Sequence, residues 1–155
     1  MATTTEPFEG AFAASDASAL VRGLGRLFAA RGLASVSELT LANGRRVDVA
    51  AIDGAGGIVF VEIKVSVADF RADAKWPEYL PFCDAFYFAV PDVFPRTLVP
   101  DEAGLIVADG YGGAILREAP SNPVSAARRK AVLLRFAHCA ADRLRRQLDP
   151  EGEGL

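Results

Sequence analysis

The sequence predicts an α/β domain with a mixed sheet, in the order α-β-β-β-α-β, followed by two short strands and a long C-terminal helix. Three observations carry that prediction. Three apolar runs of strand length are separated by Asn43-Gly44 and by the Gly-rich turn 53–57, which is the spacing of consecutive hairpins. Helical periodicity precedes them, and a capped helix start at Ser66 follows them. A continuous apolar run, Ala85–Val90, then reads as a buried strand bounded by Asp84 and Pro91. With 155 residues, 51% of them hydrophobic, the chain supports one domain with its own core.

The elements follow in order. Ser15 or Asp16 caps a first helix running to about Arg31, with Leu20, Leu24, Leu27 and Phe28 at helical spacing and Gly32 at its end. Residues 36–41, 46–52 and 58–65 read as strands. Ser66 with Asp69 has the form of a capping box, and Pro77 ends that helix near Trp76. Short strands are expected at 105–108 and 114–117, around Gly110, Gly112 and Gly113. Those glycines form neither GxGxxG nor GxxxxGK[ST], so no nucleotide-binding loop is read there. Asn122 as N-cap with Pro123 at the first helical position opens a helix to about Leu148. Its expected apolar stripe is Leu133, Phe136, Ala137, Ala140, Leu144 and Leu148. The domain is expected at 15–148, with flexible tails at 1–14 and 149–155.

Composition excludes several classes. No run reaches the roughly 18 apolar residues of a membrane helix. Residues 1–10 have neither the basic nor the apolar part of a secretion signal, and a cytoplasmic protein is expected. Cys83 and Cys139 lie far apart and read as reduced, buried thiols. The lone His138, with no ligand at metal spacing, reads as a partly buried helix residue. Net charge is −3, but it is uneven. Residues 117–148 hold eight basic side chains against Glu118 and Asp142, net +6, while 81–110 hold five acids against Arg96, net −4. Such a field presents a basic face to phosphate, or is an ordinary solvated helix.

The chemistry concentrates in the second hairpin. If turn 53–57 joins Ile52 to Ile58, Asp48 faces Glu62 and Arg46 faces Lys64, all on one face. Like charges directly opposite repel, and isolated buried charges are costly. A divalent cation removes both objections, since Mg²⁺ takes one or two carboxylates and keeps several waters. Lys64 would then orient water and neutralise charge developing on a phosphoryl group. The alternative is a cross-strand salt-bridge cluster of Asp48 and Glu62 with Arg46 and Lys64. Glu38 joins the two carboxylates if the first hairpin loop has three or five residues, and points away if it has two or four. Arg71 and Lys75, four apart like Asp69 and Asp73, are candidates for phosphate contact. So are Arg46 and the run Arg128-Arg129-Lys130. Trp76 and Tyr79 read as base-stacking residues or as core packing.

An Asp on one strand, a Gly-rich turn, and Glu-x-Lys closing an apolar strand that feeds a capped helix resembles the PD-(D/E)xK nuclease superfamily. More narrowly, G-R-R-V-D-V, V-E-I-K-V-S-V-A-D-F-R-A-D-A-K-W-P-E-Y and F-C-D-A-F-Y-F-A-V-P resemble the MmcB family of bacterial DNA repair proteins. G-L-I-V-A-D-G-Y-G-G and A-A-R-R-K-A extend that resemblance to residues 17–148. It implies a restriction-endonuclease-like core, a role in the DNA-damage response, Mg²⁺ or Mn²⁺ on Asp48 and Glu62, and catalysis by Lys64. Val47 stands where the superfamily's name has proline, and the first helix lacks an additional glutamate. Two functions are therefore expected in competition. One is a metal-dependent DNA nuclease; the other is a DNA-binding or adaptor module working with other repair proteins.

Overall fold

The computed structural model describes residues 13–152, so most of the expected N-terminal tail and the last three residues of the expected C-terminal tail lie outside the described residues. Helix α1 (Ala13–Ala30) leads into strands β1 (Ala34–Thr40), β2 (Arg46–Ile52) and β3 (Ile58–Ile63). Helix α2 (Val67–Ala72) and a 3₁₀ helix (Trp76–Phe82) precede β4 (Ala85–Val90). A short 3₁₀ turn (Arg96–Leu98), β5 (Gly104–Ala108), β6 (Gly113–Arg117) and α3 (Ala126–Leu148) complete the chain. The six strands form one sheet in sequence order, antiparallel except for the parallel pairs β3–β4 and β4–β5. The expected mixed α/β architecture is therefore present. No helix among the described residues is long and apolar enough to cross a membrane.

Each face of the sheet has its own core. Leu20, Leu24 and Phe28 of α1 pack on Val49, Val61, Ala89 and Ile106. On the other face, Val132 and Phe136 of α3 join Phe60, Phe86, Phe88 and Tyr79. Trp76 stacks on Phe86 at 5.5 Å between centroids, and Tyr79 stacks on the same ring at 6.0 Å. The packing reading of both aromatics holds, because β4 is buried on both faces and needs a lid over Phe86 and Phe88. Gly23 in α1 meets the β5–β6 turn so closely that a Cβ there would sit 1.8 Å from the Asp109 carbonyl oxygen.

Asp84 fastens α3 to the sheet. Its Oδ2 accepts from the Ile58 N–H at 2.7 Å and its Oδ1 from the Val124 N–H at 3.0 Å. The Arg129 guanidinium grips both oxygens, at 2.6 and 2.7 Å. Those hydrogen bonds, Arg129's first among them, hold the Asp84 carboxyl down at about 2. Asp84→Ala leaves two backbone donors and a guanidinium without their acceptor. The expected cost is about 3 kcal/mol, read as a fall in the urea midpoint with unchanged slope.

The structure corrects four local expectations. Helix α1 begins at Ala13, so Ser15 and Asp16 lie inside it. Helix α3 begins at Ala126 with Ser125 as N-cap, its side chain accepting from the Arg128 N–H; the segment 122–125 is instead tied down by Asp84. Within α3 the buried residues are Val132 and Phe136, while Leu144 is 56% and Leu148 78% exposed, and Ala137 and His138 also face solvent. A helix lying on a sheet buries only a narrow stripe, so the apolar residues of the expected stripe divide between two faces. Of the two free thiols, Cys83 is buried and Cys139 half-buried.

Candidate functional site

The β2–β3 hairpin has the register expected from its five-residue turn: Ile52 pairs Ile58, and so on to Val49 with Val61. One step further Asp48 stands opposite Glu62, and there the backbone ladder gives way to side chains. The Asp48 N–H donates to Glu62 Oε1 at 3.1 Å, and the Ile63 N–H donates to Asp48 Oδ2 at 2.8 Å. Each carboxylate thus replaces a carbonyl as the acceptor for a strand N–H. This fixes both side chains without a cation from the protein.

The strand changes face at the same point. Val49 and Ala51 pack in the α1-side core, yet Val47 packs with Ala50 in the opposite one. In β1, Val36 and Leu39 likewise share a core although they are an odd number of residues apart. Between them Glu38 has φ 52, a left-handed conformation costly for a side chain with Cβ. Thr40 pairs Arg46, so the loop has five residues and the register sets Glu38 opposite Asp48. The left-handed backbone overrides what the register alone implies. The Glu38 carboxylate lies 3.9 Å from Arg46 in solvent and joins no carboxylate cluster with Asp48 and Glu62.

Burial raises the Asp48 carboxyl above its ordinary range, against hydrogen bonds from Ile63 and Glu62. Burial first, and then the charge of Asp48, pushes Glu62 up to about 8. Tyr79 forms one wall: its hydroxyl donates to the Arg46 carbonyl at 2.9 Å and is raised by burial and by the Glu62 and Asp48 charges.

Lys64 is buried, 9% exposed, and its Nζ lies 2.8 Å from Asp73 Oδ2. Asp73 falls within the helix expected to run from Ser66 to about Trp76. It is instead the extended C-cap of α2, which ends at Ala72 rather than near Trp76. Its Oδ1 accepts from the Lys75 N–H at 2.9 Å. Burial opposes ionisation of Asp73, but Lys64 and the N–H groups of Lys75 and Trp76 outweigh it and hold the carboxyl below its ordinary value. The sequence signal for this turn is weak: an Asp able to bond the backbone two residues on, four residues before Pro77.

The expected phosphate-binding residues separate into two groups. Arg46, Arg71 and Lys75 are exposed, and among the described residues Arg71 and Lys75 have no ion-pair partner. Arg128 and Arg129 sit at the start of α3, where Arg129 is committed to Asp84 and the Gly56 carbonyl, and Arg128 lies over the Phe82 ring at 4.9 Å. Arg129 thus has a structural role in place of the expected phosphate track, while Lys130 remains exposed.

Among the described residues no three His, Cys, Asp or Glu side chains gather to hold a metal, so the donor set is the two carboxylates. A pair whose charges repel in a desolvated pocket, already oriented by backbone donors, fits Mg²⁺ or Mn²⁺, since Mg²⁺ accepts one or two carboxylates with water completing its shell.

An open mixed sheet with facing carboxylates on a central hairpin, and a buried lysine two residues beyond, defines the class of domain. The chain belongs to the MmcB-like DNA repair protein family, whose model matches residues 5–151. Its role is therefore in DNA repair. The SPO1766 protein of unknown function from Silicibacter pomeroyi has a similar structure, with a TM-score of 0.85 and 46% identity over 88% of this chain and 93% of that one. No curated protein is significantly similar to this chain.

Proposed function

We propose that this protein is a Mg²⁺- or Mn²⁺-dependent DNA nuclease acting in DNA repair, in the cytoplasm and alongside other repair proteins. The observation that carries the reading is the replacement of the β2–β3 ladder by the Asp48 and Glu62 carboxylates. A plain ion cluster would pair them with Arg46 and Lys64, but Lys64 is bonded to Asp73 and Arg46 lies beside Glu38. Asp48 and Glu62 would hold the cation, which supplies Lewis-acid polarisation of the phosphodiester and eases deprotonation of water. Lys64 offsets negative charge growing on the phosphoryl oxygens, and the exposed Arg71 and Lys75 engage the phosphate backbone. The test is a gel assay on single-stranded, nicked, flapped and branched DNA with Mg²⁺ or Mn²⁺. Cleavage by wild type and none by Asp48→Asn is the expected result, and no cleavage of any structure would overturn the reading.

DNA affinity should fall with salt as bound counterions are released. The double variant Arg71→Ala/Lys75→Ala is expected to shallow the slope of log K against log salt by about 2, and to weaken different sequences equally. Filter binding across a salt series measures this, and an unchanged slope returns both residues to the solvated surface.

One observation favours a binding module instead. The Lys64–Asp73 ion pair engages the amine that catalysis needs, so an adaptor would hold DNA without cutting it. That reading expects metal-independent DNA binding with no cleavage.

A further inference from the structure

Helix α3 carries a second apolar stripe, on the side away from the sheet. Leu134, Ala137, Ala141, Leu144 and Leu148 recur at intervals of three and four residues, the spacing of a helix–helix seam. All five face solvent, the three leucines being 60%, 56% and 78% exposed, whereas Val132 and Phe136 fill the core on the far side of the helix. Exposed leucines spaced to line one face are not a solvated surface, and apolar seams of this kind mark contact sites.

We infer that this face pairs with a second copy of the same chain, α3 running antiparallel to α3 about a two-fold axis. The pattern is its own complement. Leu-x-x-Ala-x-x-x-Ala-x-x-Leu reads the same in both directions, as an isologous interface requires. In that register Leu134 meets the partner's Leu144 and Ala137 meets the partner's Ala141. Small residues at the centre let the helices approach, and leucines close the ends.

The charges agree with this register. Beyond Leu148 the chain turns acidic, with Asp149 and Glu151 exposed, and the antiparallel partner brings its exposed Lys130, which continues the line of the seam, to that end. Arg145 falls level with the partner's Leu133, and Arg135 and Arg143, which fall level with each other, are both turned to β1, where they bond the Thr40 and Glu38 carbonyls. Arg145 and Arg146 in addition share the Asp142 carboxylate within the helix, each at 3.1 Å, which offsets one of their two charges. A nucleic acid on this face would gain nothing from the leucines and would be repelled by the acidic end. The seam spans roughly 21 Å at 1.5 Å per residue. One helix pair of that length buries less than a standard interface of about 1,600 Å², so the dimer is expected to be reversible, with Kd in the micromolar range.

Sedimentation equilibrium of the full chain between about 1 and 200 μM, a range that brackets such a Kd, should show mass rising towards twice the monomer. Leu134→Glu/Leu144→Glu should remain monomeric throughout with an unchanged far-ultraviolet spectrum, because both positions are exposed. Register is read by cysteine trapping in a Cys139→Ser background. Leu134→Cys and Leu144→Cys should each fail to cross-link alone, and should link to one another when mixed and oxidised. A monomeric wild type, a dimer that survives the double glutamate variant, or self-linking of Leu134→Cys would each overturn the pairing.

Discussion

Replacing Lys64 with Met and Asp73 with Asn together is expected to lower metal-dependent DNA cleavage by about 10²- to 10³-fold, the usual effect of losing one preorganised electrostatic group. The double variant matters because the two side chains are a buried pair, 11% and 16% exposed, joined at 2.8 Å. Removing Lys64 alone leaves the Asp73 carboxylate half-buried without its cation, a loss on the order of 3 kcal/mol that would confuse misfolding with lost chemistry. Removing both charges leaves a neutral contact of similar size. Because the Lys64 ammonium acts on charge that develops during the reaction, turnover should fall while DNA and metal affinity stay within a few-fold of wild type. Cleavage rates, binding isotherms and melting curves on the same samples measure all three. The adaptor reading predicts the opposite pattern in cells: full survival after a DNA-crosslinking agent when the double variant is present at normal level. That survival would remove Lys64 from the catalytic set.

The sequence made the β2–β3 hairpin legible because strand periodicity and a five-residue turn leave one register, and that register sets Asp48 opposite Glu62. The same periodicity was no guide one strand away. Both β1 and β2 change face at Glu38 and Asp48, where a left-handed residue breaks the alternation, and no local signal in Ser-Glu-Leu announces it. Ser66 as a cap was readable from its spacing to Asp69, and its hydroxyl accepts the Asp69 N–H at 3.1 Å. Asp73 was not, because a six-residue helix ends by competition between its own propensity and the packing of Phe70 and Trp76 on β4. Asp84 was read only as the boundary of a strand. Its partners Ile58, Val124 and Arg129 are 26, 40 and 45 residues away, so nothing short of the folded sheet brings them together.

Without divalent metal, the protein is expected to lose stability as pH rises from about 5 to about 8, by about 1–3 kcal/mol. The folded chain holds Glu62 protonated up to about 8, against an ordinary value of 4.5. A carboxyl raised on folding binds protons more tightly in the native state. Its contribution is therefore complete below the ordinary value and lost as pH climbs through the raised one. For a domain of this size that is a fall in Tm of roughly 3–10 °C between pH 5 and 8.5. Glu62→Gln should flatten the slope, since the titrating group is gone. Asp48→Asn should reduce it only in part, because burial outranks the Asp48 charge among the causes of the shift. Mg²⁺ or Mn²⁺ should act in the opposite sense, binding the ionised pair and restoring Tm most at high pH, by RT ln(1 + [M]/Kd). In both variants that gain should vanish, since each removes one of the two carboxylates. Melts at pH 5 and 8.5, with and without metal, on wild type and both variants separate the effects. A wild type whose Tm rises with pH in chelator, or a metal gain that survives in Asp48→Asn, would show that the two carboxylates do not form the site.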